Sequence, residues 1–192
     1  MYDTIQLRSI EYRSVFLMYP QAYINYLVHF HTDRDYFECH EILEDYWKIT
    51  KQSKEERVWV ALIQIAVAMY HHRRENWNGA ERMMEKALLL IKEEQEAIKK
   101  LGLDVDELCV LLAKKLNEVK KRVAYTSMNL PILDRSLLHT CQEVCNSLGL
   151  TWGKSSNLSD EFLVNKHRLR DRTEVIAERI NQLQRKAKMK KG

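Results

Sequence analysis

Apolar residues recur every three or four positions along most of the chain, and charged residues fill the positions between them. This spacing places the apolar side chains on one face of an α-helix. It predicts a helix from Pro20 to about Thr32, a second through the segment RDYFECHEILEDYW (residues 34–47), and a third through VWVALIQIAVAM (residues 58–69). The third segment is interrupted only by Gln64, so we expect it to be a central helix enclosed by others.

Capping residues predict where the later helices begin and end. Asn76 can cap a helix that ends near Gly102, and Asp104, with Glu107 three residues later, can cap another. A shorter helix is predicted over residues 134–148. Because the pattern stops near residue 127, we predict a helical domain over residues 1–126 and a C-terminal helical extension with a basic tail over residues 127–192.

The composition favours helices over strands. Only 5 Gly and 2 Pro occur in 192 residues, of which 45% are hydrophobic and 30% charged. A chain with so few turn-forming residues is typical of an all-α protein. We therefore predict an irregular helical bundle with a central apolar helix surrounded by others, and with an amphipathic basic helix at its C-terminus.

The distribution of apolar residues and cysteines predicts a cytoplasmic protein. No apolar run reaches the roughly 18 residues of a membrane span, and the charged N-terminal segment does not resemble a signal peptide. The four cysteines are scattered without paired spacing, which favours reduced thiols. We therefore expect a cytoplasmic protein that has no membrane partner.

The positive charge is concentrated in the C-terminal segment. Residues 158–192 contain ten Lys or Arg and five Asp or Glu. Five residues share one helical face there: Leu169, Ile176, Ile180, Leu183 and Ala187. The interleaved acidic residues favour a protein partner or a second copy of the chain, because a phosphate-binding face would carry one sign of charge. Nucleic-acid binding through the basic tail (residues 166–191) is the alternative.

The second predicted helix places a histidine and a carboxylate beside apolar residues. One arc holds Tyr36, Cys39, His40, Leu43, Tyr46 and Trp47. Glu44 lies at the rim of this arc, whereas Glu38 and Glu41 face away. On the central helix, Arg57, Gln64 and His71 follow each other at intervals of seven residues.

We expect the two helices to pack with His40 and Glu44 against the line formed by Arg57, Gln64 and His71. The preferred interpretation is a buried hydrogen-bond network that fixes helix register in a binding protein that is not an enzyme and needs no cofactor. If the protein were an enzyme, its catalytic candidates would be His40, Glu44 and Arg57.

Two alternatives assign chemistry to the same residues. His40, Glu44 and His71 form a two-histidine, one-carboxylate set that could hold a divalent metal in a metal-dependent enzyme. Alternatively, Arg34 and His40 match the R-[polar]-x4-H motif of metal-independent ribonucleases of the HEPN superfamily. The basic run formed by His72, Arg73 and Arg74 is interpreted more simply, as a solvated helix C-terminus.

The motifs resemble those of the bacterial domain-of-unknown-function family 309. The resemblance is carried by RDYFECHEILEDYWK, by the following Arg57 and by ALIQIAVAMYHHRRENWNGAERMMEKAL, within about residues 20–91. The matching positions are Glu38, His40, Glu41, Glu44, Trp47, Arg57, Gln64, Tyr70, His71, Asn76, Gly79 and Ala80. The resemblance implies an all-α fold around one central helix and implies no activity. The segment NKHRLRDR resembles the longer, Bacillus-type members of this family.

Overall fold

The computed structural model describes residues 18–50 and 56–169, and these two ranges contain eight α-helices. The helices are α1 (Gln21–His31), α2 (Tyr36–Thr50), α3 (Glu56–Arg73), α4 (Trp77–Glu93), α5 (Gln95–Lys100), α6 (Val105–Lys120), α7 (Arg135–Ser147) and α8 (Glu161–Leu169). Within the described ranges, β-type pairing is limited to an isolated bridge between Leu103 and Ile132. The all-α prediction is therefore confirmed.

Two predicted capping residues, and Asp134 at the start of the predicted helix over residues 134–148, begin the helices that follow them. The side chain of Asn76 accepts a hydrogen bond from the Gly79 N–H at 3.1 Å, and that of Asp104 accepts one from the Glu107 N–H at 3.0 Å. Asp134 caps α7 in the same way. Each cap satisfies N–H groups that have no partner within the helix, so these helix starts follow from local sequence.

The helix that starts after Asn76 ends earlier than predicted. It stops at Glu93, and the short helix α5 occupies the residues before Gly102. Gly102 adopts a φ of +75°, and a Cβ at this position would lie 2.8 Å from the Cβ of Asp134. Glycine is needed there because the chain turns in the left-handed region against the start of α7.

Helix α3 lies at the centre of the fold, as predicted. It packs against α2 on one side and α4 on the other, while α1 packs against α2 and α7. Its fully buried residues include Trp59, Leu62, Ile65 and Met69. The ring of Trp59 makes edge contacts with the rings of Tyr23 and Tyr46, which join three helices into one core.

The residues after position 127 belong to the same core as those before it. Met128, Leu130 and Leu137 are buried in the hydrophobic cluster that surrounds α3. Arg34 ties this segment to α1, because its buried guanidinium donates to the carbonyl oxygens of Phe30 and Met128, each at 2.7 Å. The boundary predicted near residue 127 therefore does not separate two cores in the described ranges.

The described residues contain no helix of the length and apolar character needed to cross a membrane. All four cysteines are free thiols.

Candidate functional site

His40 of α2 and His71 of α3 line the same pocket. The pocket has a volume of about 170 Å³ and is open on one side. Its walls are formed by Tyr36, Phe37, His40, Val67, Tyr70, His71 and His167. Phe37 and Tyr70 place it where α2 and α3 pack together, with ring centroids 6.2 Å apart. The pairing of the two helices therefore creates a recess with three imidazoles in its walls.

His40 contacts two carboxylates of its own helix. Its Nδ1 donates a hydrogen bond to Glu41 Oε1 at 3.0 Å, and its Nε2 lies 4.0 Å from Glu44 Oε2. The three side chains are all about one-third exposed. Glu41 had been expected to face away from His40. Its carboxylate nevertheless contacts the imidazole of the preceding residue.

These three side chains form a cluster of candidate metal ligands. His40, Glu41 and Glu44 offer ligand atoms that all lie within 4.8 Å of one another, and no other such group of three occurs in the described residues. His71, which was a predicted ligand, is not part of the cluster. Lys48 Nζ lies 3.3 Å from Glu44 Oε2, so a protein cation already shares this carboxylate.

Arg57 does not join the cluster around His40. Its guanidinium pairs with Glu93 and with Glu94, where the distance from Nη1 to Oε1 is 3.0 Å. The reason is geometric: α3 and α4 are antiparallel neighbours, so the start of α3 lies beside the acidic end of α4. Since the Arg57 side chain is about half exposed, this pair contributes little to stability.

Gln64 does not complete the predicted polar network either. Its side-chain Oε1 is buried and has no hydrogen-bond partner among the described residues. Trp47, at the far end of the predicted arc, is half-buried and packs against the core. Of the expected network, the structure forms the His40 cluster and leaves Arg57 and the Gln64 oxygen outside it.

His71 is held in one protonation state by its neighbours. Its Nδ1 accepts a hydrogen bond from Asn76 Nδ2 at 3.0 Å. Burial lowers the pKa of His71, and the charges of Arg74 and Arg82 lower it further. At neutral pH the ring is therefore neutral, with its proton on Nε2. A Cβ on Gly79 would lie 3.0 Å from the His71 ring, so glycine permits this approach.

Helix α8 supplies the remaining wall of the pocket. His167 Nδ1 lies 2.7 Å from the Tyr70 hydroxyl, and the His167 backbone N–H donates to the same oxygen at 3.3 Å. Arg74 Nη1 lies 3.3 Å from His167 Nε2. Because a guanidinium can only donate, Nε2 is the acceptor in this pair and the proton of the His167 ring is assigned to Nδ1.

Lys166 fastens α8 to the start of α2. Its ammonium donates to Asp35 Oδ2 at 2.5 Å and to Glu38 Oε2 at 2.8 Å. Burial lowers the pKa of Lys166, but the two carboxylates outweigh that effect and hold the pKa above its ordinary value. Glu38, which was expected to face away from the site, therefore binds the C-terminal segment.

The basic end of α3 is buried, and the prediction of a solvated terminus is wrong. His72 and Arg73 are 0% and 6% exposed. Arg73 donates to the carbonyl oxygens of Arg34 and Leu163, at 2.8 and 2.9 Å. The C-terminal segment covers this helix end and supplies partners that could not be read from the sequence near α3.

The ribonuclease alternative is contradicted by the position of Arg34. This side chain is 1% exposed, and its three nitrogens donate to oxygens of four residues, which are Phe30, Met128, Asn129 and Lys154. A guanidinium bound in this way cannot reach an RNA phosphate beside His40. Arg34 joins chain segments and is not a reactive group.

The contribution of α8 to the pocket was not predicted from the sequence. Lys166 and His167 follow their partners Glu38 and Tyr70 by 128 and 97 residues. The one sequence signal is the NKH tripeptide (residues 165–167). It lies within the segment NKHRLRDR, which resembles the longer members of the family. No local rule connects that segment with α2 and α3.

Comparisons with known proteins agree with the motif resemblance. Residues 23–83 match the family model described as Domain of unknown function (DUF309). "Uncharacterized protein YpuF" of Bacillus subtilis (strain 168) is 49% identical over 171 residues, which span 89% of this chain and 98% of that protein. No solved structure matches the chain. Neither the family description nor the relative supplies an activity. The chain belongs to the DUF309 family.

Proposed function

We propose that this protein acts by binding a helical segment of a protein partner, or of a second copy of itself, through its C-terminal extension. The observation that carries the proposal is the exposure of apolar side chains on α8. Phe162 and Leu169, seven residues apart, are 54% and 52% exposed, and Leu158 just before the helix is 58% exposed. The backbone kinks at Asn165 (φ −115°, ψ 22°) between Phe162 and Leu169, so the argument rests on their exposure and not on regular helical spacing. We call these exposed apolar side chains the α8 stripe, because exposed apolar surface of this kind can bind a partner helix.

The contacts of α8 leave this stripe available. The helix is attached through polar groups, namely the Leu163 carbonyl, the Asn165 side chain, Lys166 and His167, and none of its residues is buried. The predicted stripe continues from Leu169 to Ile176, Ile180, Leu183 and Ala187, which lie outside the described residues. A surface held from its polar side, with apolar residues outward, favours a protein partner.

Sedimentation equilibrium of the full chain tests self-association. The comparison is between the parent protein, the double variant Phe162→Ser/Leu169→Ser and a matched control, Val110→Ser/Leu133→Ser. The control residues are 68% and 70% exposed but lie elsewhere on the surface. We expect an oligomer that dissociates only in the α8 variant. If the oligomer persists in the α8 variant, the stripe is not the contact between copies of the chain. If the parent protein is a monomer, the proposed partner is a different protein.

Nucleic acid is the competing ligand for the basic tail. Titration of the purified protein with duplex DNA and with RNA, at low and at physiological salt, separates the two. Binding to phosphates weakens steeply as salt rises. Tight binding with that salt dependence would replace the protein-partner proposal, whereas weak binding at both salt concentrations agrees with it.

A second candidate function is a divalent metal site at His40, Glu41 and Glu44. The specific observation is the hydrogen bond from His40 Nδ1 to Glu41, because it leaves Nε2 as the nitrogen that could ligate. Nε2 and Glu44 Oε2 are 4.0 Å apart, and zinc ligands lie about 2.0–2.2 Å from the ion. One ion could therefore be shared by these two atoms while Glu41 orients the imidazole.

Metal analysis of protein purified without chelator tests this candidate. The variants are His40→Asn and Glu44→Gln. The matched control is Glu143→Gln, because His139 and Glu143 form a pair of the same spacing, 3.4 Å apart, on α7. The metal site requires a stoichiometric metal that both variants lose and the control retains, with unchanged circular dichroism. Equal metal content in all four proteins, or none in the parent, rejects it.

A further inference from the structure

The pocket between α2, α3 and α8 has the properties of a small-molecule site that is independent of the partner surface. We propose that it binds a single neutral aromatic ring that carries one hydrogen-bond acceptor, such as an aromatic carbonyl compound. The proposal rests on the size of the pocket, on its aromatic lining, on the hydrogen-bond arrangement at Tyr70 and His71, and on the charges near its lining residues.

The size and lining of the pocket fit one ring. Its volume is about 170 Å³, and an apolar protein cavity of about 150 Å³ is large enough to hold benzene. The rings of Tyr36, Phe37 and Tyr70, with the Val67 side chain, provide an apolar lining. The Phe37 and Tyr70 rings are tilted by 59° to each other, an arrangement in which a third ring can make both edge and face contacts.

The hydroxyl proton of Tyr70 has no assigned acceptor among the described residues. Its oxygen accepts from the His167 backbone N–H at 3.3 Å and from His167 Nδ1–H at 2.7 Å. Nδ1 is assigned as the donor because Arg74 donates to the other ring nitrogen of His167, Nε2. Since both contacts are donations to the Tyr70 oxygen, the O–H of Tyr70 remains able to donate to a ligand.

His71 contributes a second donor to the same lining. Its Nδ1 accepts from Asn76 Nδ2 at 3.0 Å, so the proton of the neutral ring is on Nε2. Two lining residues therefore carry N–H or O–H donors within an otherwise apolar recess. A ligand that is aromatic but lacks an acceptor would leave these donors unpaired, which disfavours its binding.

The charges around the pocket favour a neutral ligand. The guanidinium of Arg73 lies 5.1 Å from the Tyr36 ring centroid, and that of Arg74 lies 5.4 Å from the Tyr70 centroid. His40, another lining residue, is flanked by the carboxylates of Glu41 and Glu44. Charges of both signs therefore lie near the lining residues, so the site offers no excess of one sign that would favour a charged ligand.

Nuclear magnetic resonance titration of the full chain with benzamide, and with toluene as the ring without an acceptor, tests the proposal in the presence of EDTA. We expect benzamide to bind about threefold to tenfold more tightly than toluene, the difference expected from one hydrogen bond. Nuclear Overhauser contacts should connect the benzamide ring to Phe37 and Tyr70. Tyr70→Phe should reduce the preference for benzamide, because only the His71 donor then remains, while both compounds still bind.

Val67→Phe should abolish binding of both compounds by filling the pocket, whereas Leu133→Phe, at a surface position 70% exposed, should change neither. Absence of benzamide binding to the parent protein, or contacts to other residues, refutes the site. Equal affinity for the two compounds, or a preference that is unchanged in Tyr70→Phe, refutes the hydrogen-bond assignment. If Val67→Phe does not fold, the Overhauser contacts in the parent protein decide the location.

Discussion

At the scale of single residues, the nearest charged or polar neighbour decides what each candidate side chain does. His40 and His71 line one pocket, but Arg57 pairs with α4 and the Gln64 oxygen lacks a partner among the described residues. A helical wheel gives the direction in which a side chain leaves its helix. It does not say which charged side chain from another helix lies nearest, and that neighbour determines where a long side chain such as Arg57 goes.

Arg34 should be among the residues most important for stability. Replacing it with Met removes a buried guanidinium that bonds four oxygens and leaves the carbonyls of Phe30, Met128 and Lys154 without these donors. We expect a loss of about 3–5 kcal/mol in the free energy of unfolding, measured by urea denaturation. Arg168→Met, at an exposed position, serves as control. Equal stability of the two variants would contradict the role assigned to Arg34.

His31 should make the fold sensitive to acid. Its Nε2 accepts from the Leu130 N–H at 2.9 Å, and its ring stacks on Trp152. Burial, together with the charge of Arg34, lowers the pKa of His31 from 6.5 to about 4. The neutral ring's contribution is therefore fully present above pH 6.5 and is lost as the pH falls towards and through about 4, by about 3 kcal/mol.

Urea denaturation across this pH range measures the effect. Stability of His31→Gln should fall less steeply than that of the parent protein as the pH is lowered from about 6.5 to about 4. His139→Gln, whose histidine is 62% exposed, should follow the parent curve. A His31→Gln curve parallel to that of the parent would show that His31 does not control the acid response.

At the scale of secondary-structure elements, helix starts were predictable because their causes are local. Asn76, Asp104 and Asp134 cap the helices that follow them, and a cap needs only the next three residues. The docking of α8 could not be predicted, since Lys166 and its partner Asp35 are 131 residues apart. The burial of Arg73 was missed for the same reason.

Lys166 should control how firmly α8 is attached. In Lys166→Met, Asp35 and Glu38 lose their ammonium partner, and Asp35 is largely buried. We expect amide hydrogen exchange in residues 161–169 to accelerate, with a smaller loss of global stability of about 1–2 kcal/mol. Lys114→Met, on the exposed face of α6, is the control. Unchanged exchange in α8 would mean that the other polar contacts alone hold the helix.

At the scale of the whole molecule, the prediction of an all-α bundle around an apolar helix is confirmed, because hydrophobic periodicity reports directly on burial. The boundary proposed near residue 127 shows why a domain boundary is harder to predict from sequence than a fold class. A break in periodicity marks a loop, but it does not reveal whether the next segment returns to the same core. Here Met128 and Leu130 return to it.

The central claim is that the C-terminal extension, attached to α2 and α3 through polar groups, presents an apolar stripe to a protein. The most direct test places a photo-crosslinking amino acid at Phe162 in the host cell, with Val110 as a site of similar exposure elsewhere on the surface. We expect a discrete protein adduct, containing either a second copy or another chain, from position 162 and none from position 110. The claim is contradicted if position 162 yields no adduct, or the same adducts as position 110.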